Sequence, residues 1–166
     1  MTTPAFCRMM ATYNSEMNRR FYAAAAGLTE AQRREDRGAF FGSLQGTLCH
    51  VLWADTIWLH RFTGSPPPPV SIDRSASMIE DFAALRAERA RMDGVIEAWA
   101  GSVSAAVLDG ELAYYSGAMG REVRRPMALL AVHLFNHQTH HRGQAHALLT
   151  SFGAATGDTD LPAIFV

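Results

Sequence analysis

Asn136-His137-Gln138-Thr139-His140-His141-Arg142-Gly143-Gln144, with His133 one turn upstream, is the densest run of chemistry in this chain. Four of the seven histidines fall between positions 133 and 141, inside an apolar-periodic stretch from Met127 to Phe152 that has the length of one long helix. Residues four apart on a helix lie one above the other. His137 and His141 therefore present two imidazoles on one face, where two ring nitrogens can meet a single metal ion. His140 is turned about 100° away from His141. A helical pair supplies two ligands only, and the sequence offers His50, inside an earlier apolar helix, as a third. A three-histidine metal site is one reading of this pattern. The other is a set of partly buried polar rings satisfied by hydrogen bonds, and spacing alone admits both.

Working outward, the segment before the histidine helix changes pattern. Leu112 to Tyr115, a glycine-bounded turn from Gly117 to Gly120, and Arg121 to Arg124 predict a short two-stranded hairpin that must pack on helices. Pro126 is expected as the first residue of the last helix. After Gly153 the tail ends in Leu161, Ile164, Phe165 and Val166, which are expected to fold back on the body.

The helix carrying His50 is predicted to begin after Ser43 and to run to about Phe62. Its apolar positions cover most of the circumference, so it should be deeply buried, and a buried imidazole needs a hydrogen bond or a metal. Asp55 interrupts that apolar seam. It could orient a histidine from behind or make an ordinary polar contact between helices.

Ahead of it, Phe6, Met10, Tyr13, Met17 and Phe21 recur at helical spacing, with Pro4 as the start and Gly27 as the stop. Thr29 and Gln32 make a capping box for one short turn within a polar connection, Leu28 to Gly42, that shows no chemistry of its own. The Pro66 to Pro69 run is a stiff connector. The next helix should open at a Ser77/Glu80 capping box and continue to Trp99, with Arg86, Glu88, Arg91 and Asp93 on a solvated face.

Composition narrows the functions. At 166 residues the chain fits one domain, residues 1–166, with 48% hydrophobic and 19% charged residues, ordinary values for a globular protein. A net charge of −1 without a basic run gives no electrostatic footprint for nucleic acid. All fifteen basic residues are Arg, so lysine Schiff-base chemistry is excluded. Cys7 and Cys49 form neither a disulfide framework nor a CxxC pair. Neither a signal-peptide pattern nor a membrane-spanning apolar run is present, and a cytoplasmic location is expected.

Four substantial helices with a hairpin before the last predict an all-α bundle whose inward side chains would include His50, His137 and His141. The pattern is not that of a zincin. Gln138 stands where the metalloprotease glutamate follows the first histidine.

The early helix with His50 and Trp58-Leu59, the Gly-Pro connector, the Tyr-bearing strands and above all the His-x-x-x-His-Arg-Gly-Gln run resemble the DinB/YfiT-like four-helix family over nearly the whole chain. The resemblance implies an up-down-down-up bundle, a divalent metal held by His50, His137 and His141, and a homodimer. Some members use the metal to activate a low-molecular-weight thiol. It thus implies thiol-dependent transferase or isomerase chemistry on a small-molecule substrate, with zinc or nickel as the ion and iron also admissible, and with no nucleic acid or membrane partner. A non-catalytic metal-binding stress or sensor module and a metal-dependent hydrolase are the alternatives. His133 is expected beside the cavity, Cys49 in the core, Arg142 anchored on a carboxylate, and Gly143 at a close helix approach. His60 and His146 are assigned to surface or packing. Tyr114 and Tyr115 could line the mouth of the site or merely pack.

Overall fold

The computed structural model describes residues 2–117 and 119–165. Helix α1 (Pro4–Ala26) begins where the Thr3 hydroxyl accepts the Phe6 N–H at 3.1 Å, and it closes with Gly27 donating to the Ala24 carbonyl and Leu28 to the Ala25 carbonyl. The single turn α2 (Glu30–Arg34) forms as expected, with Thr29 and Gln32 capping each other's backbone. Helix α3 (Leu44–Thr63) is capped by Ser43 on the Gly46 N–H at 3.1 Å and ends at Gly64, whose φ of 74° is the left-handed value that favours glycine.

Helix α4 (Phe82–Ser102) starts later than the Ser77/Glu80 pattern predicts. Asp81 is the cap instead, accepting the Ala84 N–H at 2.7 Å, while Ile72–Ser77 forms a 3-10 helix in which the Ser77 hydroxyl is spent on the Arg74 carbonyl. The short α5 (Ala105–Leu108) leads into strands β1 (Glu111–Ser116) and β2 (Arg121–Pro126), which pair antiparallel with Tyr114 opposite Val123. Pro126 ends β2 and caps α6 (Met127–Ser151) rather than opening it. Having no N–H, it asks nothing of the helix, and the Met127 N–H donates back to the Gly110 carbonyl at 2.9 Å.

Pairs of contacts fix the direction of each helix. Asn18 meets Asp93 and Tyr22 meets Phe82, so α1 and α4 run antiparallel. His50 meets His137 and Trp58 meets His133, so α3 and α6 do too. Phe6 with Phe135 and Phe21 with His146 make α1 and α6 parallel, as Asp55 with Arg89 and Phe62 with Trp99 make α3 and α4 parallel. The result is an up-down-down-up four-helix bundle with the hairpin before its last helix.

Helices α1 and α3 lie on a diagonal, each packed against α4 and α6. The 3-10 segment and α2 cover the remaining side of α3, which is why every residue from Leu44 to Asp55 is buried. The chain thus covers the apolar seams of these two helices itself. Among the described residues, the large exposed apolar side chains lie elsewhere, at Phe40, Val107, Leu129 and Val132 among others. The tail returns to the body through main-chain carbonyls, with Tyr13 donating to Thr159 at 2.6 Å and Arg20 to Asp158 at 3.1 Å. Phe165 is exposed, against expectation, and Val166 lies outside the described residues. Among the described residues no helix is long and apolar enough to cross a membrane.

Candidate metal centre

Antiparallel packing of α3 against α6 carries His50 to the helical pair His137 and His141. One ring nitrogen from each of the three lies within 4.8 Å of the other two. His50 Nε2 and His137 Nε2 are 3.4 Å apart. Tetrahedral coordination by nitrogens about 2.0–2.1 Å from zinc puts neighbouring ligands about 3.3–3.4 Å apart, so this edge already has the spacing a metal requires.

The opposite nitrogens of two rings are held. His50 Nδ1 lies 2.9 Å from the Ser75 hydroxyl, and His141 Nδ1 lies 2.8 Å from Gln144 Oε1, an oxygen that can only accept. His141 therefore carries its proton on Nδ1 and leaves Nε2 bare. Ser75 is itself buried, on the 3-10 helix that covers α3. Phe41 stacks on the His50 ring at 3.8 Å between centroids and lies 5.3 Å from His141, closing one flank.

Electrostatics keep the rings neutral. Burial, with a smaller contribution from His141, pulls His50 down to about 4. Burial followed by the neighbouring histidines pulls His137 down to about 3. His141 is lowered by burial, against the opposing Gln144 hydrogen bond. Neutral imidazoles offer lone pairs. A proton shared between His50 and His137 would serve two of the converging nitrogens, whereas a divalent cation would serve all three, and the donor set of three imidazoles suits zinc, nickel or iron.

Several residues take roles other than those the sequence suggested. Asp55 does not orient any histidine: its carboxylate accepts from Arg89 at 2.6 Å, with both side chains buried, making it an interhelix ion pair. Asp93 is not on a solvated face but is buried beside the same guanidinium at 2.8 Å, and also accepts from Asn18 at 2.8 Å. Arg142 donates to the Asn14 side-chain oxygen and, at 3.3 Å, to the Thr139 hydroxyl, so an amide replaces the expected carboxylate. Gly143 is exposed and a Cβ there would touch nothing within 4 Å, so no close helix approach explains it.

Other residues sit where expected. His133 is exposed and stands 5.8 Å from His137 between ring centroids. Cys49 is buried and directs its thiol at the Ile79 carbonyl, 3.2 Å away. His60 bonds the Ser65 carbonyl and His146 the Thr156 hydroxyl, so both are packing residues. Tyr114 packs edge-on against Trp58 at 5.6 Å, and Tyr115 is exposed.

Ser75, Gln144 and Phe41 were not singled out as site residues. Gln144 sits three after His141, a spacing at which helical side chains meet, so it was legible in principle. Ser75 and Phe41 come from connections whose path no local pattern reveals.

No curated protein matches this chain. Among solved structures, a DinB-like protein from Bacillus cereus ATCC 10987 is similar in fold, with a TM-score of 0.66 at 18% identity over 89% of this chain and 91% of that one. The model of the DinB family matches residues 1–165. The chain, a four-helix bundle with three histidines converging between α3 and α6, belongs to the DinB family.

Proposed function

We propose that His50, His137 and His141 hold one divalent ion, zinc, nickel or iron, and that the centre serves thiol-dependent transfer or isomerisation of a small molecule. The observation that carries this reading is the convergence of three neutral rings, two of them fixed from behind by Ser75 and Gln144. A bound ion would supply the positive charge that makes a neighbouring thiol acidic.

The chain's own residues do the rest. Ser75 and Gln144 hold ring orientation, and Phe41 shields His50 from water on one flank. His133 marks the exposed approach. Gln138 is buried and cannot take a proton, and the group of potential ligands contains no carboxylate. Hydrolysis of a water-stable bond usually draws on a positioned base, whereas a thiol can release its proton to solvent and react as thiolate, so the site favours thiol chemistry.

A non-catalytic metal-binding module is the competing reading. Structural zinc is normally closed by four protein ligands, whereas three histidines would leave a bound ion one position open. A homodimer enters the proposal through family resemblance alone; sedimentation at micromolar concentration tests it, and a monomer rejects it.

Elemental analysis of protein purified without an affinity tag identifies the ion. Adding glutathione, cysteine, mycothiol or bacillithiol to cobalt-loaded protein should then give a thiolate-to-cobalt charge-transfer band with the matching thiol. Its affinity should rise with pH until the free thiol titrates. No band with any of the four, and no change in the cobalt spectrum, favours the non-catalytic module.

A further inference from the structure

Arg61 is half-buried near the end of α3 and packs against two aromatic rings. Its guanidinium carbon lies 4.5 Å from the centroid of Trp58 and 4.5 Å from that of Tyr114. The two rings meet edge to face, 5.6 Å apart, so the cation rests against both on one side, and its N–H groups remain its donors.

Among the described residues, no carboxylate lies within salt-bridge distance of those donors. The buried arginines differ: Arg89 lies between Asp55 and Asp93, and Arg142 has Asn14 and Thr139. Burial lowers the Arg61 pKa, opposed only by Tyr114, as fits a partly desolvated cation with no counter-anion.

A row of rings joins this cation to the histidines. Trp58 lies 4.9 Å from His133, and His133 lies 5.8 Å from His137, one helical turn or about 6 Å along α6. Arg61 is close enough for its charge to lower the His133 pKa, after the larger effect of burial. His133 is exposed and Tyr114 half-buried, so the row lies along the open side of the centre. Cation–π packing alone explains why the guanidinium rests against two rings. It does not explain a half-buried charge whose fork of donors has no acceptor among the described residues.

We propose that Arg61, resting against Trp58 and Tyr114, is a carboxylate-binding subsite for a small molecule whose other end reaches the three-histidine centre. The class of ligand is an organic acid with its metal-seeking group separated from the carboxylate by roughly one to two helical turns, about 6–10 Å. Its apolar middle lies along Trp58 and His133. Both thiol and acceptor substrates can meet that description, so this inference rests on the proposed function for the metal end but not for the anion end.

The test separates the two ends. Cobalt-loaded protein is titrated with ω-mercaptohexanoate and with mercaptohexanol, which differ in the terminal charge, while binding of hexanoate, which has no thiol, is followed by calorimetry. The acid should bind about tenfold to a hundredfold tighter than the alcohol. Arg61→Gln should bring the ratio to about one without changing cobalt content or affinity for the alcohol. Should that variant not fold, the wild-type ratio should shrink steadily with added salt.

If neither thiol perturbs cobalt but hexanoate binds wild type and not R61Q, the carboxylate subsite stands and the thiol reading falls. Equal affinity for acid and alcohol, a preference that survives R61Q or, where that variant does not fold, survives salt, or failure of hexanoate together with both thiols overturns the subsite.

Discussion

Two buried polar regions share this bundle, and they are built on opposite terms. Between α3 and α4, Asp55, Arg89 and Asp93 form an ionic knot, with the Arg142 charge acting on Asp55 from α6. Two carboxylates and two guanidinia balance in charge, and Asn18 and Asn14 take up further hydrogen bonds. Between α3 and α6, the three histidines carry no charge and turn acceptors toward one another. The first region balances its charges within the protein, although Asp55 Oδ1, Arg89 Nε and the neighbouring Gln138 amide have no hydrogen-bond partner. The second turns three ring nitrogens toward one point, where a single cation would satisfy them together. A buried polar cluster thus points to a ligand when its unsatisfied groups are of one kind and converge, and to architecture when opposite groups already answer each other.

The largest expected effect breaks the closed region. Arg89→Ala strands two buried carboxylates and should cost about 3–5 kcal/mol of stability by urea denaturation, equally with and without metal. A cost under about 1 kcal/mol would show that the knot is solvated.

The open region should behave in the reverse way. His137→Ala should abolish the metal-dependent part of stability, about 3 kcal/mol at an ion concentration one hundred times the dissociation constant, and His50→Ala and His141→Ala should do the same. If all three variants retain full metal occupancy and the metal-dependent rise in stability, the site assignment is wrong.

Acid distinguishes the regions in metal-free protein. His50 and His137 titrate near 4 and 3 when folded against 6.5 when unfolded, so the unfolded chain binds more protons between those values. Their contribution is therefore full above pH 6.5 and is lost as pH falls toward 4 and below. Burial pushes Asp93 up to about 6 from 3.8, against the pull of Arg89, so the folded chain binds more protons there. Its contribution is present below 3.8 and is lost as pH rises through about 6. Replacing both histidines with Gln should reduce the positive slope of stability against pH between 4 and 6.5, whereas Asp93→Asn should steepen it. The same slope in all three proteins would show that neither region titrates as described.

The smallest effect is a control on the helix that both regions share. Gly143→Ala adds a methyl that meets nothing within 4 Å, so it should stabilise α6 by up to about 1 kcal/mol and leave metal binding unchanged. Loss of stability would restore the close-approach role that sequence reading gave this glycine.

Sequence alone determined what depends on local periodicity and termination. Pro4 and Gly27 bound α1, Ser43 starts α3, Thr29 and Gln32 cap α2, and the spacing of His137 and His141 puts two rings on one face, because each follows from the few residues around it. The apolar circumference of α3 also foretold the burial of His50. Tertiary structure decided which distant groups answer each other. Asp55, on a helix that also carries His50, met Arg89 across the bundle, and Asp93 left a charged face for the interior. Ser75 and Phe41 reached His50 from connections that carry no repeating pattern. Partner choice between side chains dozens of positions apart is set by helix direction and packing, which the bundle fixes as a whole and no local window contains.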